Sequence, residues 1–288
     1  MCFYLGCAIW GYKDWVGELF PAGSRSVDFL RLYSRRFTTV EGNTTFYSTP
    51  DAATVKRWAT ETPDGFQFCL KLPRAVTHQG LLRPKVPEAI AFLQHMQGLG
   101  DRLGPLFVQL PPSYGPSQFD DLAAFLQAWP QQIAPLAVEV RHLGWFREPG
   151  QNRLNSLLQD LGMGRVLLDT RPIYDCPDDP QLASERRKPR VPLQPVVTAG
   201  FTLVRYISHP DAAMNQPWMA AWVPQVDEWL RQGIRVYLFV HCPVEARSPA
   251  HARSFQRQLE QHGAPVLPLP WDAIADAEPP PASQLTLF

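Results

Sequence analysis

Eight short apolar segments, alternating with stretches of helical spacing, are the feature of this 288-residue chain that most constrains its fold. Each segment has the length of a β-strand, and most are apolar on both faces, as buried parallel strands are. The segments are Phe3–Trp10, Thr39–Asn43, Gln67–Leu72, Leu106–Leu110, Leu136–Arg141, Arg165–Asp169, Thr202–Tyr206 and Arg235–His241. Strands that alternate with helices in this way predict an α/β fold built on a parallel sheet.

Helical patterns fill most of the intervals between these segments. The predicted helices are Ser26–Phe37, Pro50–Ala59, Pro87–Met96, Ser117–Trp129, Asn152–Leu161, Pro217–Leu230 and Pro249–His262. Eight such units favour a single-domain (β/α)8 TIM barrel. A doubly wound open sheet is the alternative, and it is less favoured because no glycine-rich dinucleotide loop follows the first strand.

One interval, Arg171–Thr198, has no helical period and contains six prolines. So long an irregular loop inside a domain usually has a function. This loop follows the sixth strand, on the face where barrel enzymes form their sites, and it carries Arg186, Arg187, Lys188 and Arg190. We interpret it either as a lid or binding loop, or as a solvated basic loop.

The end of the chain differs from the rest in composition. Residues 272–288 contain Asp276, Glu278 and three consecutive prolines, a composition typical of an extended, disordered linker. We therefore predict a barrel domain over residues 1–271 and a flexible tail over residues 272–288.

Charge and cysteine content indicate which partners and compartment to expect. The net charge is zero, so the field of the whole molecule gives no reason to expect a nucleic-acid or membrane partner, although local patches remain open. The five cysteines form no CxxC pair and follow no signal peptide, which is typical of reduced thiols. No apolar run approaches the ~20 residues of a membrane span. We expect a cytoplasmic protein.

Along each strand, alternate residues belong to opposite faces. One face is apolar, and the other becomes polar toward the C-terminal end of the strand. The apolar face, with residues such as Val138, Val166 and Val204, should pack on the helices. The other face ends in polar or aromatic residues on all eight strands: Trp10, Glu41, Asn43, Lys71, Gln109, Glu139, Arg141, Asp169, Arg205 and His241. This ring predicts a functional pocket, because barrel enzymes build their sites at this end. Ordinary ion pairs at a wet barrel mouth are the structural alternative.

The composition of the ring indicates acid–base chemistry on an anionic group. Glu41, Glu139 and Asp169 are the candidate catalytic residues, with Glu41 and Glu139 as acid and base. The candidate substrate-binding residues are Trp10, Asn43, Tyr47, Lys71, His78, Gln109, Arg141, His142, Arg205 and His241. We predict no cofactor, because the neighbouring lysine and arginines would repel a cation. Mg²⁺ or Mn²⁺, held by the carboxylates and His241, is the alternative left open.

Several motifs resemble the YecE-like family, catalogued as domain of unknown function 72, over about Tyr4 to Leu259. They are Gly6–Tyr12 with Trp15, Phe37–Tyr47, Phe68–Pro73 with Thr77-His78, Gly104–Leu106, Gln109–Pro112, Glu139–His142 with Trp145, Asp169, and Val204–Tyr206. The resemblance implies a TIM barrel and brings no established reaction. This chain departs from the family pattern at His241-Cys242, where paired asparagines are frequent, and at Gly42, where a bulky apolar residue is usual.

The last five residues resemble a second motif, the clamp-binding peptide of bacterial DNA polymerases and repair proteins. Gln284, Leu285, Leu287 and Phe288 match its Gln-Leu-x-Leu-Phe pattern. The resemblance implies that this peptide would place its apolar side chains in a pocket of the DNA sliding clamp. An incidental apolar terminus is the alternative.

Three functions are consistent with these features. The first is a metal-independent acid–base enzyme, of hydrolase or lyase type, that acts on an anionic, phosphate-bearing substrate such as a nucleotide or nucleic acid and is recruited to the sliding clamp. The second is an enzyme for a sugar or sugar phosphate with an incidental tail. The third is an adaptor that senses a ligand without catalysis.

Overall fold

The structure, a computed structural model, describes residues 2–182, 184 and 187–273. The predicted clamp-binding residues Gln284, Leu285, Leu287 and Phe288 lie outside these described residues.

Eight strands lie at the predicted positions, and their bounds differ from the prediction by a few residues at most. They are β1 (Phe3–Cys7), β2 (Thr39–Gly42), β3 (Gln67–Leu70), β4 (Leu106–Gln109), β5 (Leu136–Glu139), β6 (Gly164–Asp169), β7 (Phe201–Ile207) and β8 (Arg235–His241). Six of them form a parallel sheet in the order β1-β8-β7-β6-β5-β4. β2 and β3 form a second parallel pair. The chain is thus an α/β protein with a mostly parallel central sheet.

Backbone hydrogen bonds connect the β2–β3 pair to the six-stranded sheet on both of its sides. On one side, the Leu72 amide donates to the Phe107 carbonyl at 3.0 Å, and the Gly104 amide donates to the Phe68 carbonyl at 3.0 Å. On the other side, the Thr38 amide donates to the Leu5 carbonyl at 3.2 Å. These bonds join the β2–β3 pair to β1 and β4, the two edge strands of the six-stranded sheet.

Within the described residues, ten α-helices accompany the strands. They are α1 (Phe29–Tyr33), α2 (Thr44–Tyr47), α3 (Ala52–Glu61), α4 (Arg74–Thr77), α5 (Val86–Met96), α6 (Phe119–Gln127), α7 (Gly150–Asp160), α8 (Arg171–Tyr174), α9 (Ala212–Arg231) and α10 (Ser248–His262). Short 3-10 turns, among them Leu143–Phe146 and Glu245–Arg247, lie in the loops. No helix in the described part of the chain combines the length and the apolar character needed to cross a bilayer.

All seven predicted helices begin at residues other than those predicted, and at two of them an aspartate caps the observed start. α3 begins at Ala52, where the Asp51 carboxylate accepts a hydrogen bond from the Thr54 amide at 2.7 Å. α9 begins at Ala212, five residues before the predicted Pro217, because the Asp211 carboxylate accepts from the Ala213 amide at 2.9 Å. A capping carboxylate satisfies an amide that has no partner within the helix, so the capped position determines where each helix starts.

The irregular interval after β6 is shorter than predicted, because α8 occupies its first four residues. Described residues from Asp175 to Gly200 contain no further helix or strand.

The inner faces of the strands form a small apolar cluster, separate from the large core beneath the helices. Its members are Tyr4, Cys69, Phe107, Ala137, Val166, Phe201, Leu203, Tyr237 and Phe239. Four of these, Phe107, Ala137, Leu203 and Phe239, lie two residues before Gln109, Glu139, Arg205 and His241. Because side chains alternate along a strand, the polar residues project from the same faces, one layer closer to the C-terminal ends. The apolar cluster is therefore the floor on which the polar layer rests.

Candidate functional site

A cavity of about 450 Å³ opens above the polar layer at the C-terminal ends of the strands. Segments after six of the eight strands supply most of its wall. The lining residues are Ala8, Ile9, Asn43, Phe46, Tyr47, Lys71, Arg74, His78, Gln109, Arg141, Arg187, Lys188, Pro189, Arg205, His241 and Glu245. Eight of the ten predicted substrate-binding residues are among them.

Arg205 on β7 binds both predicted catalytic glutamates at the base of the cavity. Its Nε and Nη2 donate to the two carboxylate oxygens of Glu41 at 2.8 Å and 2.9 Å. Its Nη1 donates to Glu139 Oε2 at 2.5 Å. Arg205 is 4% exposed, Glu139 1% and Glu41 0%, so the three charges are out of contact with bulk water. Such a buried cluster requires each charge to be paired, and this geometry pairs all three.

Asn43 and His241 complete the surroundings of Glu41. Asn43 Nδ2 donates to Glu41 Oε1 at 2.6 Å and to the Ala8 carbonyl at 3.1 Å. His241 Nε2 lies 2.9 Å from Glu41 Oε2. Burial lowers the pKa of His241 to about 4 despite the nearby carboxylate, so the neutral ring donates its Nε2 proton to Glu41.

Arg141 and Gln109 extend the cluster around Glu139. Arg141 Nε donates to Glu139 Oε1 at 2.7 Å, and Arg141 Nη2 donates to Gln109 Oε1 at 2.6 Å. The two carboxylates are therefore balanced by the two guanidinium groups of Arg141 and Arg205.

These contacts keep Glu41 and Glu139 ionised. Burial alone would raise the pKa of Glu139, but the charges of Arg205 and Arg141 lower it to about 2. Burial is likewise outweighed at Glu41, whose pKa lies well below its ordinary value because of Arg205 and His241. A carboxyl group with so low a pKa exchanges protons poorly near neutral pH. The two glutamates are better suited to hold Arg205 than to act as acid and base.

Lys71 is a side chain of the cavity whose charge changes near neutral pH. Its Nζ lies 3.6 Å from the centre of the Phe46 ring. Among the described residues it has no ion-pair partner within 4.0 Å. Burial, followed by repulsion from Arg205, lowers the pKa of Lys71 to about 7.

His78 and Tyr47 lie beside Lys71 on the cavity wall. His78 packs edge-on against Phe46, and burial together with the Lys71 charge lowers the pKa of His78 to about 4. Tyr47 is 66% exposed at the rim, with its ring centre 5.1 Å from that of Phe46. A neutral imidazole and an exposed aromatic ring form the less polar side of the cavity.

The irregular loop after β6 covers one side of the cavity with Arg187, Lys188 and Pro189. Arg187 pairs with Asp179 at 2.5 Å, and the Lys188 amide donates to Gln181 Oε1 at 2.7 Å. The Lys188 carbonyl accepts a hydrogen bond from the Tyr174 hydroxyl. Burial lowers the pKa of Lys188. The sequence placed these cations on a long loop, but only the structure shows that they face the cavity.

Glu245, in the 3-10 turn after β8, is a lining residue that the sequence analysis missed. Its Oε1 atom is buried and has no hydrogen-bond partner. Burial raises the pKa of Glu245 to about 8. It lies four residues beyond the end of β8, outside the strand pattern used to find the other residues, so strand parity gave no signal for it.

Asp169 lies on the opposite face of its strand from the one predicted. Val166 belongs to the inner cluster, and Leu167 belongs to the core beneath the helices, so Asp169 shares the outward face of Leu167. There it accepts two hydrogen bonds from the Arg171 side chain, at 2.9 Å and 2.8 Å, and one from Trp222 Nε1 at 2.7 Å. Because every residue of β6 is buried, hydrophobicity could not distinguish the two faces.

Trp10 and His142 also lie away from the cavity. β1 ends at Cys7, and the Trp10 ring packs edge-on against Trp58 and Phe68, which belong to the core beneath the helices. Ile9 lines the cavity in its place. His142 Nδ1 accepts a hydrogen bond from the Gly144 amide at 3.0 Å and thereby caps the turn Leu143–Phe146. Both side chains therefore have structural partners of their own.

The carboxylate oxygens at the base of the cavity all have side-chain hydrogen-bond donors. Glu41 and Glu139 direct all four carboxylate oxygens to arginine donors, and those of Glu41 also accept from Asn43 and His241. In the described part of the chain, one group of candidate ligands lies close together: Cys176, Asp178 and His209. The Asp211 amide donates to His209 Nδ1 at 2.9 Å, which places the ring proton of a neutral His209 on Nε2, the nitrogen that faces Asp178. A metal ion at this position would have to displace that proton.

Comparison with known proteins gives consistent matches along the chain. The family model described as "Protein of unknown function DUF72" matches residues 4–274. The UPF0759 protein YecE of Escherichia coli K12 is 34% identical over 261 residues, which cover 90% of this chain and 93% of YecE. The UPF0759 protein YunF of Bacillus subtilis is 26% identical over 189 residues, or 62% of this chain and 61% of YunF.

Two crystal structures of DUF72 family proteins share the fold. The protein from Thermotoga maritima superposes with a TM-score of 0.69 at 21% identity, covering 90% of this chain and 100% of that one. The protein from Enterococcus faecalis superposes with a TM-score of 0.69 at 16% identity, covering 90% and 95%.

Proposed function

Because this chain belongs to the DUF72 family, whose description records no activity, we propose its function from the chemistry of the cavity: a metal-independent acid–base enzyme that acts on a phosphate-bearing substrate. The observation that carries the proposal is the ammonium group of Lys71, which faces the cavity without an ion-pair partner among the described residues.

We propose that the fold behind this function is a closed (β/α)8 barrel. The hydrogen bonds from Leu72 to Phe107 and from Thr38 to Leu5 link the β2–β3 pair to both edges of the six-stranded sheet. A sheet joined on both sides has the strand order of a barrel, and the cavity then lies at the face where barrel enzymes carry out their reactions.

The balance of charge favours an anionic ligand. Glu41 and Glu139 neutralise Arg205 and Arg141, so the base of the cavity has no net charge. Lys71 and Arg74 add positive charge to the wall without an ion-pair partner in the part of the chain that the structure describes, and Lys188 adds a third cation. Phosphate is the common biological group that matches several cations converging on one small cavity. A nucleotide or nucleic-acid phosphate is the substrate class that we favour.

Lys71 is the candidate general base. A lysine with a pKa of about 7 is half deprotonated at neutral pH, which is the condition for efficient proton transfer. Glu41 and Glu139 would then orient Arg205 toward the substrate instead of exchanging protons themselves.

A screen of phosphate monoesters and diesters, including nucleotides and oligonucleotides, tests the proposal. We expect turnover by the wild-type protein and a loss of about 100-fold or more in Lys71→Gln, the range for removal of a general base. Lys56→Gln, which changes an exposed lysine on α3, serves as the matched control and should retain full activity. Binding of a phosphate ester without turnover would favour the ligand-sensing adaptor, and turnover limited to sugar phosphates would favour the second enzyme class.

Metal dependence is not part of the proposal, because the oxygens of Glu41 and Glu139 already serve arginine donors. Activity that is lost on treatment with a chelator and restored by Mg²⁺ or Mn²⁺ would contradict this view.

We also propose, from the sequence alone, that the tail binds the DNA sliding clamp. The support is the pattern Gln284-Leu285-Thr286-Leu287-Phe288 at the end of the chain. Purified clamp should bind the full chain and should not bind a chain that lacks residues 284–288. Leu287→Ala should abolish binding, whereas Thr286→Ala, at the position that the motif does not specify, should not. Equal binding by all four proteins would refute the proposal.

A further inference from the structure

Glu245 contrasts with the other carboxyl groups around the cavity. Glu41 and Glu139 each face arginines, whereas Glu245 has no cation within 4.0 Å among the described residues. Its Oε1 atom is shielded from solvent and accepts no hydrogen bond. The hydroxyl of Ser248 lies beside the carboxyl group, where a hydrogen bond from it favours the ionised form. A buried carboxyl oxygen without a partner, at the wall of an open cavity, is a group that a ligand can contact.

An ionised carboxylate in this position would be unstable. Burial of an unpaired charge is far more costly than burial of a neutral carboxyl group, so such a group retains its proton. The raised pKa of Glu245 agrees with this reasoning. A protonated carboxyl differs from an ionised one in a way that matters here, because it can donate a hydrogen bond.

We propose that Glu245 keeps its proton in the open cavity and donates it as a hydrogen bond to an anionic oxygen of the ligand. The inference deepens the proposed function and rests on the binding of an anion in this cavity. Lys188, from the loop after β6, would contact the same anion from the facing wall. The site would then select oxyanions that only accept hydrogen bonds, and a substrate phosphate would bind there fully deprotonated.

Several titratable groups surround Glu245, and their effects on ligand binding have to be distinguished from the effect of Glu245 itself. A hydrogen bond from Ser248 and the charge of Lys188 favour its ionised form, and the charge of Glu41 opposes it. Burial already raises the pKa values of the remaining neighbours, which keeps them neutral: Cys7, Tyr12, Tyr33 and Cys242. Lys71, on the same cavity, loses its charge near the pH at which Glu245 would ionise. A suitable experiment has to remove the contribution of Lys71.

Sulfate is a suitable probe, because its charge stays constant between about pH 6 and pH 9 and any change in its affinity reports on the protein. Lys71→Arg holds a constant positive charge at position 71 over this range. In the Lys71→Arg protein, we expect the sulfate affinity measured by titration calorimetry to fall by about tenfold for each pH unit above the pKa of Glu245.

Glu245→Gln is the matched variant, because its carboxamide keeps a hydrogen-bond donor and cannot ionise. In the Lys71→Arg background, the sulfate affinity of Glu245→Gln at pH 6 should lie within about threefold of that of the Lys71→Arg protein alone. The decrease in sulfate affinity that Glu245 causes above pH 8 should disappear. Glu245→Ala should bind about tenfold more weakly at pH 6, since it removes a hydrogen bond to a charged group. Identical pH profiles with Glu245 and with Gln at this position would overturn the inference.

A direct measurement covers the case in which a variant fails to fold. The carboxyl carbon of Glu245 in wild-type protein labelled with ¹³C-glutamate, assigned by comparison with Glu245→Gln, should titrate near pH 8. Titration below pH 5 would overturn the inference. Absence of sulfate binding in the wild-type protein at pH 6 would refute the proposed function instead, and the carboxyl titration would still decide whether Glu245 retains its proton.

Discussion

Arg205 is the residue on which the geometry of the cavity depends. It joins Glu41 on β2 to Glu139 on β5, across the centre of the strand ends, through three hydrogen bonds. These contacts fix the two carboxylates and the arginine in one arrangement. The cluster thereby gives the cavity a rigid polar base, above which Lys71 and Glu245 provide the groups that change charge.

Glu41→Gln is expected to destabilise the protein, because it leaves Arg205 with one carboxylate instead of two. Breaking a buried ion pair typically reduces the free energy of unfolding by about 3–5 kcal/mol. Chemical denaturation measures the change. Glu88→Gln removes an exposed contact to Lys85 and is the control, with little change expected. A stable Glu41→Gln protein would show that the cluster contributes little to folding.

Lys71 is expected to make stability depend on pH. Its pKa is about 7 in the folded chain and 10.5 in its ordinary state, so the unfolded chain binds more protons between these values. The contribution of Lys71 to the free energy of unfolding therefore increases as the pH rises from 7 toward 10.5. Lys71→Met should stabilise the protein, and by more at pH 6 than at pH 9. Denaturation of both proteins at the two pH values tests this, and Lys56→Met should show no such difference.

At the scale of elements, β1 and β2 approach each other closely at Gly6. A Cβ atom added at Gly6 would lie 2.0 Å from the Thr39 carbonyl oxygen and 2.8 Å from the Tyr33 hydroxyl. The same hydroxyl accepts a hydrogen bond from the Cys7 amide at 2.6 Å. Gly6 thus allows the strand that carries Glu41 to approach the first strand.

Gly6→Ala is expected to separate β1 from β2, since the added methyl group meets backbone that cannot move away freely. Overpacking of this kind typically reduces the free energy of unfolding by about 1–3 kcal/mol, and rigid backbone places this case at the upper end. Thermal and chemical denaturation measure the loss. Gly200→Ala is the control, because nothing lies within 4 Å of its added Cβ. Equal stability of the two variants would show that β1 and β2 can separate without cost.

At the scale of the whole molecule, the segment that follows α10 packs against the residues that precede β2. The Trp271 ring packs edge-on against the buried Phe37 at 5.3 Å, and the Trp271 carbonyl accepts a hydrogen bond from Arg36. Arg253 on α10 lies over the same ring at 4.4 Å. The segment therefore holds α10 against the chain that leads into β2.

Trp271→Ala is expected to lower the free energy of unfolding by about 2–4 kcal/mol, near the lower end for loss of a packed aromatic side chain because the residue is only half-buried. Leu267→Ala, in the same segment but 63% exposed, is the control and should have little effect. The free energies of unfolding of the two variants are compared by denaturation monitored by circular dichroism, because this signal does not rely on tryptophan fluorescence. A Trp271→Ala protein as stable as the control would indicate that this segment is not part of the cooperative fold.

Local patterns in the sequence determined the strands and most of the helices, because burial on both faces leaves a recognisable apolar run. They also located the polar ends of β2, β4, β5, β7 and β8, where one face changes from apolar to polar along the strand. At β6 both faces are buried, so parity gave the wrong face for Asp169. At β1 the strand ends early and Trp10 turns outward to Trp58.

The sequence by itself thus determined the α/β alternation and the existence of a polar layer at the strand ends, since both depend on residue periodicity along single elements. Only the tertiary structure decided which charges meet. It placed Arg205 between Glu41 and Glu139, left Lys71 without an ion pair among the described residues, and brought Lys188 and Glu245 to one cavity. Ionisation depends on burial and on partners distant in sequence, and neither can be read from spacing along the chain.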